Sequence, residues 1–165
     1  MKWLSLILAI LLAGCSASET PVSREGAAAN TAGVSATHAI SGLPLVTVTI
    51  DTGEERIEFL SELALTPEAQ AKGLMFRDEL PEFTGMLFPS ASAQVRSFWM
   101  KNTPLPLDII FIGPDRRIIN IETGVPYSTD GVRSEGPAAA VFEIGGGRAA
   151  ELGIEPGDTV SYELP

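Results

Sequence analysis

Residues 107–112, from Leu107 to Ile112, form a run that is apolar on both alternating faces except at Asp108. Pro106 precedes the run and Gly113-Pro114 follows it, so it is too short for an ordinary helix. A strand that is apolar on both sides must be covered on both sides. The chain is therefore expected to build a sheet with further structure packed over each face.

The surrounding punctuation extends this reading. Val46, Val48 and Ile50 alternate with Thr47, Thr49 and Asp51, and Asp51-Thr52-Gly53-Glu54 reads as a turn. Ile57, Phe59, Leu63 and Leu65 recur at even spacing, so the two segments form a predicted hairpin. Thr66-Pro67-Glu68 is a helix start, with Thr66 as the cap and Pro67 in the first turn, and Gly73 is its stop. Gly85 to Pro89, Gln94 to Asn102, Arg117 to Ile121, Val141 to Ile144 and Thr159 to Glu163 are further predicted strands. Arg148 to Leu152 is a second minimal helix, stopped by Gly153. Hairpin spacing dominates and no βαβ unit is visible. The expected class is mainly β (a β-rich α+β domain), with one compact antiparallel barrel or sandwich and two short helices.

The N-terminus carries a different signal. Lys2 is followed by an apolar run from Leu4 to Leu12, broken only by Ser5, which is too short to span a bilayer. Leu12-Ala13-Gly14-Cys15 resembles the bacterial lipobox, which places a lipid on Cys15 and marks residues 1–14 as an export signal. The alternative is an ordinary signal peptide cut near Ala17. Residues 15–37 read as the lipidated cysteine and a flexible tether, poor in large apolar side chains. The domain then occupies residues 38–165. Ser16 after the cysteine resembles the pattern that sends lipoproteins to the periplasmic side of the outer membrane, rather than the inner membrane. Cys15 is the only cysteine, so the domain has to be stable without an internal disulfide.

Charge narrows the partners. The chain has 11 Lys and Arg against 21 Asp and Glu, a net charge of −10. That balance lacks the basic footprint of a nucleic-acid binder and would be repelled by anionic lipid. Membrane contact is expected through the N-terminal lipid alone. A single histidine, His38, leaves no usual zinc site and no His-based triad. Gly145-Gly146-Gly147 lacks the Lys-Ser/Thr of a phosphate loop, and Met75, Met86 and Met100 read as packing rather than a copper site. No cofactor and no metal are expected.

One stretch concentrates chemistry. Phe98-Trp99-Met100-Lys101-Asn102-Thr103 is followed by Pro104 and Pro106, then Asp108. Trp99 and Lys101 are expected on one face, where a ligand could stack on the ring and meet the charge. Asp108 needs a partner in its apolar strand, and Arg77 and Lys101 are the available cations. Arg77, Trp99, Lys101, Asn102 and Asp108 are thus the candidate ligand-binding surface. The bland alternative is core packing with an internal ion pair. Glu143, between Phe142 and Ile144, faces the same choice.

Thr66-Pro67-Glu68, Gly73 to Arg77, Gly85 to Phe88, Phe98 to Thr103, Pro106 to Ile109, Phe111-Ile112, Gly153-Ile154 and Gly157-Asp158, in that order, resemble the domain of unknown function 192 family. The similarity runs over roughly residues 43–163 and is most specific at Phe98 to Thr103. It implies a compact β-rich domain, often exported, and carries no catalytic role. The leading expectation is a non-catalytic, envelope-anchored binding or accessory domain. The alternatives are a carboxylate-based hydrolase acting on envelope glycan or peptide, and a structural module that presents a surface to a partner.

Overall fold

The computed structural model describes residues 36–165. The export signal, the Cys15 lipid site and the tether up to residue 35 lie outside the described residues. The described backbone is engaged from its start: the Ala36 carbonyl accepts from the Leu45 N–H at 2.8 Å.

The predicted hairpin is β1 (Leu45–Asp51) and β2 (Arg56–Leu63), paired antiparallel with Val48 opposite Phe59. The Gly53 N–H donates to Asp51 Oδ1 at 2.9 Å, and Gly53 takes φ +84°, a conformation open to glycine without strain. Helix α1 (Pro67–Lys72) begins as the sequence implies, with Thr66 Oγ1 accepting from the Ala69 N–H at 3.2 Å. Then follow β3 (Thr84–Gln94), β4 (Ser97–Phe98), β5 (Leu107–Ile112), β6 (Ile118–Gly124), β7 (Val132–Arg133), β8 (Ala138–Gly145), α2 (Arg148–Glu151) and β9 (Thr159–Ser161).

Seven strands make one sheet in the order β6-β5-β8-β3-β2-β1-β9, while β4 and β7 form a separate ribbon. Every residue of β5 is buried, as its two-faced apolarity requires.

Three expectations need correction. The sheet is mixed, because β2 and β3 run parallel. The 64–83 connection between them carries α1, so a βαβ unit is present after all. Helix α1 is legible from its caps, but it buries none of its residues, so no apolar face marks it as the crossover of a parallel pair. Nor does the sheet close as a barrel. Its outermost strands meet only at the Arg117–Thr159 bridge, flanked by Ile118 N–H to Asp158 O at 2.9 Å and Val160 N–H to Arg116 O at 2.7 Å. The strand predicted over 94–102 also shrinks to Ser97–Phe98. Beyond it the chain turns, with Thr103 N–H bonded to Met100 O and Asn102 at φ +56°.

The core divides between the faces of the sheet. One side holds Val48, Ile50, Phe59, Leu87, Ile110, Phe142 and Ile144, with Ala149 of α2 over them. The other holds Met86, Phe88, Ile109, Phe111 and Val141, covered by Leu74 and Met100. The second side carries the site described next.

Candidate functional site

Two segments lie over that second face: the end of α1 running into Gly73-Leu74-Met75, and the strip from Arg96 to Trp99. They leave between them a pocket of about 290 Å³. Gln70 seats α1, its Nε2 donating to Ala64 O at 3.1 Å and Pro89 O at 2.9 Å. Met100 seats the other segment: it is 2% exposed, and Gly124 makes room for it, since a Cβ there would lie 2.5 Å from the Met100 sulfur. Trp99 and Phe98 thereby line the pocket, with Trp99 half exposed.

Glu143 of β8 also lines the pocket. It pairs with Met86 on β3 and Ile109 on β5, which puts its side chain on the pocket face of the sheet. The residue is 4% exposed, and no cation or hydrogen-bond donor meets its carboxyl among the described residues. Burial raises its pKa from 4.5 to about 8, so at neutral pH it is mainly a protonated O–H donor. Arg96 stands in the pocket wall. It lies 5.4 Å from the Phe98 ring centroid, donates to the Ser90 hydroxyl, and has no carboxylate partner among the described residues. Burial lowers its pKa.

Of the residues singled out from sequence, one lines this pocket and two stand next to its lining residues. Trp99 lines it, and Lys101 Nζ sits 5.2 Å from the Trp99 ring centroid. Asn102 ties the turn to the opposite wall: its carbonyl accepts from the Phe76 N–H at 2.8 Å, and its Nδ2 is 3.9 Å from Met75 Sδ. Arg77 is engaged elsewhere. It pairs with buried Glu62 at 2.7 Å, and Glu62 also accepts from the Ser41 hydroxyl and has His38 Nδ1 3.6 Å away.

Asp108 faces away from the pocket. It is paired with Ile144, so its side chain lies on the sheet face opposite Glu143. Its two oxygens accept from the Gly147 N–H at 3.0 Å and the Ala149 N–H at 2.8 Å, which satisfies the start of α2. The cations considered for it are not its partners.

Gln70 and Arg96 were missed in the sequence reading, because neither sits in an apolar run. Glu143 left the same trace as Asp108, a carboxylate flanked by large apolar residues. Sequence cannot tell which of the two the backbone satisfies.

The fold and pocket define a class: a β-rich domain built on one mixed sheet, with a cleft lined by a buried acid that has no partner among the described residues. The family model for DUF192, described as an uncharacterized ACR, matches residues 47–162. The chain belongs to this family. A protein of unknown function from Novosphingobium aromaticivorans DSM 12444 is similar in structure, with TM-score 0.75 and 50% identity over 79% of this chain and 94% of that one. A putative transcription regulator from Sinorhizobium meliloti 1021 is also similar, with TM-score 0.70 and 35% identity over 73% of this chain and 95% of that one. Comparison with curated proteins gives no match.

Proposed function

We propose that this chain is a lipid-anchored, non-catalytic binding domain of the bacterial envelope, held by Cys15 and binding a small ligand in the pocket beneath Trp99. The carrying observation is Glu143: a carboxyl that is buried, without a partner among the described residues, and turned toward a cleft. Its carboxyl opens onto the cleft, where a ligand that hydrogen-bonds to it can take the place of water. The leader and lipobox, Leu12-Ala13-Gly14-Cys15, support the location.

The hydrolase reading needs a second carboxylate at the pocket, and among the described residues Glu143 is the one carboxylate that lines it. Asp108 and Glu143 point to opposite faces of the sheet, and Asp158 bonds the Glu155 N–H in a turn. Glu122 accepts from Asn120 instead of lining the pocket. The acidic balance also argues against direct DNA contact, so the name of the Sinorhizobium relative is not carried over. A partner-presenting role has one observation behind it. Phe76, Val125 and Tyr127 are 71%, 61% and 65% exposed, and Phe76 and Tyr127 have positive φ.

The test is a thermal-shift screen of the full chain in non-ionic detergent against envelope metabolites and peptidoglycan fragments. A ligand that raises the melting temperature, and does so no longer in Trp99→Ala, is the expected result. A hit unaffected by Trp99→Ala would overturn the pocket assignment. Labelled palmitate should enter the wild type and not Cys15→Ser; label in both would overturn the anchor.

A further inference from the structure

The pocket's charges run against those of the molecule. The chain as a whole is at −10, yet the ionisable residues lining this cleft are Lys72, Arg96 and Glu143. With the Glu143 carboxyl uncharged, the cleft carries two cations and one buried O–H donor. Resting on the binding role proposed above, we propose that the pocket takes a small carboxylate, which accepts a hydrogen bond from the Glu143 carboxyl and is charge-matched by Arg96.

The chemistry discriminates among ligand classes. An ammonium ligand would need Glu143 ionised, and would then face Arg96 and Lys72 as like charges. A neutral amide would meet the Glu143 O–H but leave the Arg96 guanidinium without a counter-charge. A carboxylate answers both: it accepts a short charge-assisted bond from the acid and supplies the anion the guanidinium lacks. The walls suit a ligand of this size, because Phe98 and Trp99 give apolar surface for a short hydrocarbon tail, with Arg96 in the wall and Glu143 on the sheet beneath.

The pairing depends on a proton. Two carboxyl groups in one site cannot both ionise cheaply, so the bound anion holds the Glu143 proton in place. The groups facing Glu143 from the packed elements leave it little competition. Strands β3 and β5 present Met86, Phe88 and Ile109, the covering segments present Lys72, Arg96 and Thr103, and Glu122 stands two strands away on the same face. Above pH 8 the free pocket loses its donor and acquires a negative charge, so a carboxylate should be expelled.

Calorimetric titration of the full chain in non-ionic detergent tests this, with butyrate, butyramide and n-butylammonium as probes and detergent alone as reference. Butyrate is expected to bind best, with proton uptake near pH 8 and affinity about tenfold weaker at pH ~9 than at pH ~7. Glu143→Gln keeps a neutral donor, so it should bind butyrate with the pH dependence gone, while Arg96→Gln should weaken butyrate about tenfold or more. If Glu143→Gln fails to fold, the probe ranking and the wild-type pH profile still decide. Preference for the amide or the ammonium, or affinity flat across that pH range, overturns the proposal. Butyrate silence alongside a screen ligand that still requires Trp99 removes the carboxylate and keeps the pocket; silence together with no Trp99-dependent ligand removes both.

Discussion

Glu143 and Asp108 are both carboxylates set into apolar strands, and they meet the penalty of burial by opposite means. Asp108 stays hydrogen-bonded, to the Gly147 and Ala149 amides. Glu143 holds its proton instead. This has a signature in stability. The folded state keeps the Glu143 proton up to about pH 8, whereas the unfolded chain releases it near its ordinary value of 4.5. Protons are therefore bound more tightly by the folded state, and stability falls as pH rises. The Glu143 contribution is fully present below pH 4.5, declines across the interval, and is gone above about 8. Urea unfolding at pH ~5 and pH ~9 should show this loss, on the order of a few kcal/mol, and Glu143→Gln should flatten it. An equal slope in the variant would show that other groups carry it. What sequence offered at this scale was the anomaly, an acid inside a hydrophobic run; it offered no partner, because the amides that satisfy Asp108 lie 39 and 41 residues away.

At the scale of elements, the pocket depends on how closely β3 and β8 approach. A Cβ on Gly85 would lie 2.5 Å from the Glu143 carbonyl and 2.7 Å from the Phe142 ring, so backbone as well as side chain would have to give way. Gly85→Ala should cost about 1–3 kcal/mol in chemical denaturation and disturb the pocket floor. A variant as stable as the parent would show that the pair relaxes freely. The elements themselves were legible in unequal measure. The β1–β2 hairpin, α1 with its Thr66 cap, and the covered β5 strand follow from alternation, capping chemistry and two-faced apolarity. The stretch after Gln94 misled because Val95 and the run Phe98-Trp99-Met100 supply the large apolar side chains of a strand without its alternation. Its real organisation rests on contacts distant in sequence, with the Met100 N–H bonded to Ser128 O and the Met100 side chain seated against Gly124. The parallel β2–β3 pair was hidden for a related reason: its crossover helix sits on the surface without burying a residue.

For the molecule as a whole, the first and last parts of the described chain come together. β9 completes the sheet beside β1, with Ile50 opposite Val160, and its other side reaches Arg116 and Arg117 at the β5–β6 turn. Arg116 lies 3.8 Å from the Tyr162 ring centroid, and Arg117 Nη1 donates to Gly157 O at 2.7 Å. Ending the chain after Asp158 should therefore abolish cooperative folding, since it removes fully buried Val160 and one whole sheet edge. A truncated protein with a sharp thermal transition by circular dichroism would show that β9 is dispensable. The class of fold was readable from short strands and turn residues; the order of strands was not, because local pattern does not encode which distant edges meet. That meeting of edges has a consequence for neighbours. Strand β6 is overlaid along its outer side, with Asn120 bonding Arg133 and Glu135 and the Ile118 carbonyl taking the Gly157 amide. The chain thus covers part of its own outer strand, which shortens the edge open to pairing with a second copy.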